Sequence, residues 1–255
     1  MKDISITIVA YHGTEDVKNA VHSIEKHTSQ NIQKVIYIVD NGEKEDGQLQ
    51  KLQSIYDDVE YVFAGKNLGF GGGHNLVMNR LDSKYHAIVN PDILLETDAF
   101  SDLIAFMKND TIGMCVPRLY DENHELLSVY RRDLTVFDMF IRMFLKKGFR
   151  KRQAYHTMQD MNYEAEFDVP FAQGSFLLIR TELFREIGGF DERFFLYMED
   201  ADLCKRVREK ARLVYCPSAS VIHKWERGSH KNKKLFQLHL KSMFAYFSKW
   251  GWKLV

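Results

Sequence analysis

The first 117 residues alternate between strand patterns and helical patterns, and this alternation restricts the possible fold more than any other feature. We expect strands at Ile4–Tyr11, Val35–Asp40, Val59–Phe63, Ala87–Asn90 and Ile112–Pro117. We expect helices at Thr14–His27, Gln48–Tyr56, Gly73–Leu81 and Asp98–Lys108, with Thr14 and Asp98 as N-caps. This order predicts an α/β fold: a mostly parallel sheet with helices on both faces and ligands at the carboxyl ends of the strands.

The second half of the chain has a less regular pattern. We expect a strand at Gly174–Arg180, helices at Thr181–Ile187 and Glu199–Glu209, a strand near Leu213–Tyr215, and a helix from Lys234 to about Trp250. No internal repeat, low-complexity segment or flexible linker interrupts the chain. The pattern therefore favours one continuous domain over residues 1–255.

Composition and charge exclude several classes of protein. The 35 basic and 35 acidic residues give a formal net charge of zero, which argues against a strongly basic nucleic-acid-binding protein. The three cysteines form no C-x-x-C pair, which suits a reducing compartment and disfavours a disulfide framework. Because we find neither a signal-peptide pattern nor an apolar stretch of about 20 residues, we expect a cytoplasmic protein.

Three carboxylates crowd into four positions at Glu199, Asp200 and Asp202, directly after the aromatic run Phe194–Met198. Adjacent like charges repel, so such a cluster next to apolar residues needs a cation, a metal or a proton. The apolar residues before it place at least one carboxylate at the edge of a buried region. Carboxylates in that position are candidate general bases.

Residues 67–75 form a glycine-rich turn that leads into a predicted helix. Glycines let the backbone approach a ligand closely, and a helix N-terminus favours anions such as a diphosphate. The turn does not match G-x-G-x-x-G, because His74 occupies the last position, and it does not match the P-loop pattern either. Tight packing alone explains the glycines equally well.

Three further polar residues follow predicted strands. Asp92, in Asn90-Pro91-Asp92, can hold Mg²⁺ or Mn²⁺, although the motif alone favours a capping turn. Asp40 can accept hydrogen bonds from a nucleobase or ribose, or serve its own turn. His223 precedes a basic stretch over residues 224–234 that can neutralise phosphate oxygens; a structural histidine and a solvated basic face are the alternatives.

In this order the motifs resemble family 2 inverting glycosyltransferases of the GT-A fold, most closely the rhamnosyltransferase-type branch. The branch signature N-x-G-F-(small)-x-G-x-N, followed by N-P-D, matches residues 67–75 and 90–92. Residues 188–206 match G-G-F-D-E-x-F-F-x-Y-x-E-D-x-D-L-x-x-R, which is highly specific. The similarity runs from Ile4 to about Ser229.

The resemblance implies one GT-A domain with a nucleotide-sugar-binding half at 1–118, an acceptor and catalytic half at 119–232, and a C-terminal helix at 233–255. It implies transfer of rhamnose or a hexose from a dTDP- or UDP-sugar to a glycan or lipid-linked glycan in cell-surface polysaccharide synthesis. Transfer would proceed by single displacement with inversion. A nucleotidyltransferase is the alternative enzyme class, and a non-catalytic nucleotide-sugar-binding module is the alternative without chemistry.

The resemblance also implies residue roles. Asp200 matches the general base, and Asp92 and His223 match ligands of Mg²⁺ or Mn²⁺. Asn90 replaces the first aspartate of the family's D-x-D metal motif, which removes one charge from the site. The residues implied on the donor side are Tyr11, Asp40, Asn67, Gly69, Gly71, Asn75 and Asn90. Those implied in acceptor contact or support are Glu199, Asp202, Tyr197 and Trp225.

The segment 134–152 fits neither the predicted sheet nor this chemistry. Its apolar, aromatic residues run into a basic cluster, a combination that can lie on an anionic membrane surface. Such a contact would suit a lipid-linked acceptor and a protein at the cytoplasmic face of the plasma membrane. The alternative is an ordinary amphipathic helix that covers the acceptor side or forms a homodimer contact.

Overall fold

The computed structural model describes residues 1–145, 148–224 and 233–255, except for the side chain of Phe144. The strands in these ranges are β1 (Lys2–Ala10), β2 (Lys34–Asp40), β3 (Val59–Phe63), β4 (Ser83–Val89), β5 (Ile93–Leu94), β6 (Ile112–Tyr120), β7 (Phe167–Asp168), β8 (Phe176–Arg180) and β9 (Arg212–His223). The helices are α1 (Thr14–His27), α2 (Gly47–Gln50), α3 (Gly69–Asn75), α4 (Ala99–Phe106), α5 (Val136–Phe144), α6 (Arg150–His156), α7 (Thr181–Glu186), α8 (Glu199–Arg208) and α9 (Lys233–Trp250).

The strands form one mixed sheet in the order β3-β2-β1-β4-β8-β6-β9-β5, with β7 paired to β9. β1 to β4 pair in parallel, whereas β8 runs antiparallel to both β4 and β6. The alternate residues Ile4, Ile6 and Ile8 of β1 are fully buried, together with Ser5 and Thr7 between them. Both faces of this central strand are therefore covered, as expected for a parallel strand in an α/β protein. The predicted α/β architecture is confirmed.

Helix α1 shows why the alternating pattern folds as it does. Its residues Val17, Ala20, Val21 and Ile24 recur at helical spacing and are all fully buried, so one face packs on the sheet. The predicted bounds of this helix are confirmed, but the predicted Thr14 cap is wrong. Gly13 precedes the helix in the left-handed region with φ 79°, and the Thr14 hydroxyl donates to the Asp46 side chain instead.

Several other boundaries also differ from the prediction, and two of them matter for the site. Helix α3 begins at Gly69 rather than Gly73 and ends at Asn75, and a 3₁₀ turn follows over Met78–Arg80. The earlier start places the glycines inside the helix, not before it. Strand β9 continues to His223, well beyond the predicted strand near Leu213–Tyr215, because it pairs first with β6 and then with β5. The Asp98 cap is confirmed, since its carboxylate accepts the Ser101 N–H at 3.1 Å.

Segment 134–152 contains α5, which begins after a Thr135 cap on the Asp138 N–H at 3.0 Å. Its apolar side faces the protein, because Met139 and Ile141 are only 1% exposed, whereas Phe140 is 47% exposed. The segment is thus partly core, as in the amphipathic-helix alternative. Among the described residues, no helix combines the length and apolar character needed to cross a membrane.

Candidate active site

A cleft of about 280 Å³ opens where β4 ends, β8 begins and β9 ends. Its ionisable lining residues are Asp92, His223, Glu199 and Asp200. The other lining residues are Phe70, Asn90, Gln173, Gly174, Ser175 and Leu196. Residues that are far apart in the sequence, and that were predicted separately as metal ligands and as a base, thus share one cavity.

Strand pairing brings the two predicted metal ligands together. Ile93 of β5 pairs with His223 of β9, and the Lys224 N–H donates to the Asp92 carbonyl at 2.9 Å. The His223 Nε2 atom consequently lies 3.2 Å from the Asp92 Oδ2 atom. The other carboxylate oxygen, Asp92 Oδ1, is buried and accepts no hydrogen bond from any described residue.

This pair fits a divalent cation that is shared with a ligand. A carboxylate oxygen and an imidazole nitrogen are both common donors to divalent metals, and the buried Asp92 Oδ1 is available for such a bond. Within the described ranges, no third histidine, cysteine or carboxylate completes a protein-only site. A cation bound by Asp92 and His223 would therefore take its remaining ligands from substrate oxygens and water.

An unusual turn directs the carboxylates into the cleft. Tyr197 and Met198, immediately before α8, have φ values of 69° and 71°, in the left-handed region that non-glycine residues rarely adopt. Each such residue costs about 1–3 kcal/mol, and strain of this kind clusters at functional sites. The turn starts α8 at Glu199, so the first two helical residues both line the cleft.

Glu199 and Asp200 differ in what surrounds them. Glu199 is 5% exposed, its Oε2 atom accepts no hydrogen bond from a described residue, and burial together with the Asp200 charge raises its pKa to about 8. Burial also raises the pKa of Asp200, but two backbone N–H groups and the charges of Arg131 and Arg142 favour its ionised form. Glu199 therefore holds the proton at neutral pH, and Asp200 carries the charge that a base needs.

Asp202 lies fully buried outside the cleft. It accepts hydrogen bonds from Arg206 Nε at 2.7 Å and from Trp250 Nε1 at 2.8 Å, and it pairs with Lys249 at 2.6 Å. Asp202 was predicted to contact the acceptor or to support the site. The geometry fits the supporting role, because these contacts connect α8 to α9. The ring of Tyr197 lies 4.7 Å from that of His239 in α9, also away from the cleft lining. Trp225 lies outside the described residues.

The glycines of residues 67–75 make room for protein atoms. A Cβ atom on Gly69, which has φ 76°, would overlap the Phe195 carbonyl oxygen. A Cβ atom on Gly71 would lie 2.7 Å from the Phe190 Cβ atom. The close approach that glycine permits at Gly69 and Gly71 is thus made to residues 190–195, as in the packing alternative.

The two asparagines of the same turn are engaged in a similar way. Asn67 accepts the Gly69 N–H at 2.9 Å. Asn75 accepts the Phe190 N–H and donates to the Phe190 carbonyl, both at 2.8 Å, and it also donates to Glu192 at 3.1 Å. Both N–H groups of Asn75 are used in these bonds, which fix the segment that leads to the carboxylates.

Asp40 likewise organises its own turn. It is 5% exposed, and its carboxylate accepts hydrogen bonds from the Gly42 N–H at 3.1 Å, the Asp46 N–H at 2.8 Å and the Tyr61 hydroxyl at 2.6 Å. These bonds fit the alternative in which Asp40 stabilises its own turn. Tyr11, in contrast, is 46% exposed just beyond β1, where its ring is available for stacking.

Sequence reasoning missed three residues that shape this region. Asn41 accepts the Leu68 N–H at 2.9 Å and donates to the Gly69 carbonyl at 3.0 Å, which joins β2 to the glycine-rich turn. The Gly174 N–H donates to Asp200 at 3.2 Å. Arg131 is buried close enough to influence the Asp200 charge. An Arg131-Arg132 pair before an apolar run was the one available signal, and it does not reveal its distant partner.

Comparison with known protein families identifies the family of this chain. A model described as Glycosyl transferase family 2 matches residues 5–188, more than half of the sequence. The chain belongs to this family. As a member of Glycosyl transferase family 2, it is a glycosyltransferase. The match ends before the carboxylate motif, so the individual residue roles depend on the cleft geometry described above.

Similar proteins agree with this family and fold. Rhamnosyltransferase WbbL of Escherichia coli (strain K12) is 28% identical, over 95% of this chain and 92% of its own. The N-acetylglucosaminyl-diphospho-decaprenol L-rhamnosyltransferase of Mycobacterium tuberculosis is 29% identical, over 74% of this chain and 66% of its own. The crystal structure of GalNAc-T7 with UDP, GalNAc and Mn²⁺ gives a TM-score of 0.69 at 15% identity, over 95% of this chain and 48% of that one. The predicted GT-A fold is confirmed.

Proposed function

We propose that the protein transfers a sugar from a nucleoside-diphosphate sugar to a hydroxyl group of a glycan or lipid-linked glycan, in a cation-dependent, inverting reaction. One observation carries this proposal: the Asp92–His223 pair and the Asp200 carboxylate line the same cleft. The pair suits the diphosphate of a donor, and the carboxylate suits the hydroxyl of an acceptor. Family membership supports the reaction class.

Asp200 acts as the general base. It removes the proton of the acceptor hydroxyl as that oxygen attacks the anomeric carbon, while the bond from this carbon to the diphosphate oxygen breaks. A positioned carboxylate contributes typically 10²–10⁴-fold to such a step. Protonated Glu199 provides no second nucleophile, so a single displacement inverts the anomeric configuration. Backbone N–H groups hold the Asp200 side chain in place.

Asp92 and His223 would hold Mg²⁺ or Mn²⁺ beside the leaving diphosphate. The bound ion would supply charge neutralisation for the departing nucleoside diphosphate. The buried Asp92 Oδ1 atom supports this assignment, as does the presence of Mn²⁺ together with UDP in the GalNAc-T7 structure. Asn90, which lines the cleft next to Asp92, would face the donor and adds no charge.

The donor sugar is rhamnose or a hexose carried on dTDP or UDP, and rhamnose is our first choice because two relatives are named rhamnosyltransferases. Tyr11 would stack on the base. The name of the mycobacterial relative supports an acceptor with a lipid diphosphate. Family membership disfavours a nucleotidyltransferase, and the shared cleft disfavours a module without chemistry.

Release of free nucleoside diphosphate from candidate donors tests this function. With Mn²⁺, the wild-type protein should hydrolyse one of dTDP-rhamnose or the UDP-hexoses slowly, and Asp200→Asn should abolish this release. Asp57→Asn, at an exposed acidic position on the surface, is the matched control and should retain release. Release that is independent of the cation, or that survives in Asp200→Asn, would contradict the proposed roles.

Peripheral contact with an anionic membrane is also part of the proposal, through a surface wider than residues 134–152. On α9, Phe236, Leu240 and Phe244 recur every four residues and are 40–65% exposed, and Lys241 is exposed beside them. The backbone of α5 joins this surface, since the Val136 N–H donates to the Lys253 carbonyl at 2.9 Å. An apolar stripe flanked by cations is typical of helices that lie at membrane surfaces.

Sedimentation with vesicles containing anionic lipid tests this contact. Phe244→Glu should reduce binding, whereas Ile55→Glu, at an equally exposed position elsewhere, should not. Equal binding of both variants would overturn the membrane contact. Light scattering on the same samples tests the homodimer alternative, because a dimer formed through α9 would dissociate in Phe244→Glu.

A further inference from the structure

Arg131 is a buried cation without a hydrogen-bond acceptor among the described residues. It is 6% exposed, its Nε atom is enclosed and makes no hydrogen bond, and its guanidinium lies 5.5 Å from the centroid of the Phe171 ring. Burying an ion costs several kcal/mol unless a partner compensates. A guanidinium kept in this state, close to a proposed catalytic base, indicates an anionic ligand.

Backbone contacts fix where Arg131 lies relative to that base. Arg131 and Phe171 exchange both backbone hydrogen bonds, at 2.8 and 2.9 Å. Three residues later along the same segment, the Gly174 N–H donates to Asp200. Arg131 and Asp200 therefore contact one short segment at points three residues apart, at Phe171 and at Gly174, which lies in a turn.

The next residue of this segment continues towards the cation site. The Ser175 carbonyl accepts the Asn90 N–H at 2.8 Å, and Asn90 begins the turn that carries Asp92. Along the segment, the order is thus the buried arginine, the proposed base and the proposed cation site.

Arg142 of α5 adds a second positive charge to this side. Burial and repulsion from Arg142 lower the pKa of Arg131 to about 9, while attraction to Asp200 opposes this shift. The Asp200 charge offsets only one of the two arginines. Asp138 is already paired with an arginine of α6 at 2.6 Å, and burial lowers the pKa of His156 to about 4. The region therefore carries excess positive charge.

We propose that Arg131 and Arg142 bind a phosphate group of the acceptor, next to Asp200. This inference rests on the proposed function and specifies the acceptor as a glycosyl phosphate or diphosphate. In such a molecule a sugar ring separates the attacking hydroxyl from the phosphate. A hydroxyl at Asp200 then places the phosphate near the guanidinium groups, whose planar donors match phosphate oxygens.

Binding of farnesyl diphosphate and of farnesol to the full-length protein tests this subsite. Both are measured with Mn²⁺ and saturating dTDP or UDP, whichever binds, so that the donor phosphate site is filled. The wild-type protein should bind farnesyl diphosphate about 10- to 100-fold more tightly than farnesol, the range expected for a charged hydrogen bond. Arg131→Gln should remove most of this difference and leave nucleotide binding unchanged.

Two results would overturn the subsite: equal binding of the two probes by the wild-type protein, or displacement of the nucleotide by farnesyl diphosphate, which would assign the arginines to the donor. If Arg131→Gln does not fold, Arg142→Gln on the more exposed α5 gives the same test, and Arg80→Gln, at an exposed arginine elsewhere, is its control.

Nucleotide-sugar turnover is measured in parallel. Turnover without phosphate preference refutes the subsite alone, and phosphate preference without turnover refutes the proposed function alone.

Discussion

The glycine-rich turn, residues 67–75, and the cleft lie side by side at the same edge of the sheet, yet their polar atoms have different surroundings. In the turn, the Asn67 side-chain oxygen accepts the Gly69 N–H, and the Asn75 amide both donates to and accepts from the Phe190 backbone. In the cleft, Asp92 Oδ1 and Glu199 Oε2 are buried without a hydrogen-bond partner among the described residues. Buried polar groups normally have partners, so the turn satisfies the requirements of folding while the cleft retains atoms for a ligand.

His74 is the exception in the turn. Both of its ring nitrogens are buried without a hydrogen-bond partner among the described residues. Burial lowers its pKa well below the usual value, and the ring packs edge-on against Phe70 with 4.6 Å between centroids. It therefore behaves as a neutral aromatic side chain. The turn and the cleft both contain distinctive motifs, but the turn stabilises the fold while the cleft keeps polar atoms for a ligand. Each of the following substitutions tests this difference.

The largest effect on stability is expected in the turn. Gly69→Ala combines a left-handed backbone with a clash against Phe195, and we expect it to lower the free energy of unfolding by about 2–5 kcal/mol. Gly188→Ala is the matched control, because Gly188 has φ 75° but no atom within 4 Å of its added Cβ. It should cost only about 1–2 kcal/mol. Urea unfolding measures both, and equal costs would contradict the packing role of Gly69.

The next effect concerns the cation. Asp92→Asn should raise the Mn²⁺ concentration needed for half-maximal activity by about 10- to 100-fold, because it weakens a charged interaction with the ion. Its stability without Mn²⁺ should equal that of the wild-type protein. Asp57→Asn provides the control in the same assay. Unchanged Mn²⁺ dependence would remove Asp92 from the cation site.

A smaller, pH-dependent effect is expected at Glu199. Its pKa is raised to about 8 in the folded protein, so the folded state binds this proton more tightly than the unfolded state. This contribution to stability is complete below about pH 4.5 and is lost as the pH rises towards 8. Glu199→Gln should remove that loss, while activity at pH 7 stays near that of the wild-type protein. Unfolding measured from pH 5 to 9 checks the predicted pH dependence of stability. A large loss of activity in Glu199→Gln would indicate that the charge of Glu199 is needed.

The smallest effect is expected at His74. His74→Phe replaces an unpartnered polar ring by an apolar one, and its free energy of unfolding should be within about 1 kcal/mol of the wild-type value or above it. Thermal or urea unfolding measures this. A loss of several kcal/mol would mean that the His74 nitrogens have a partner, such as an ordered water.

The parallel β1–β4 half could be predicted because local patterns determine it. The reversed β8, the long β9 and the pairing of β5 with β9 could not, because the paired residues are far apart in the sequence. They are 87–95 positions apart in the β4–β8 ladder and 128–130 positions apart in the β5–β9 ladder, for example Ile93 with His223. The same reason explains which site residues could be predicted from the sequence and which could not. Asp92, Asp200 and His223 follow motifs, whereas the role of Asn75 depends on which distant carbonyl its amide meets. The Arg131-Arg132 pair does not reveal the position of Arg131, because that position depends on the distant Phe171.

The most direct test of the division between turn and cleft is the rate of sugar transfer at saturating donor and Mn²⁺, measured with the free energy of unfolding for Asp200→Asn and Asn75→Ala. We expect Asp200→Asn to lose about 10²–10⁴-fold in kcat while its stability is unchanged or higher, because a buried charge is removed. We expect Asn75→Ala to lose about 2 kcal/mol of stability for two backbone hydrogen bonds, with kcat of the folded protein within a few-fold of wild type. Loss of donor affinity in a fully stable Asn75→Ala, or normal transfer by Asp200→Asn, would contradict the division between a structural turn and a catalytic cleft.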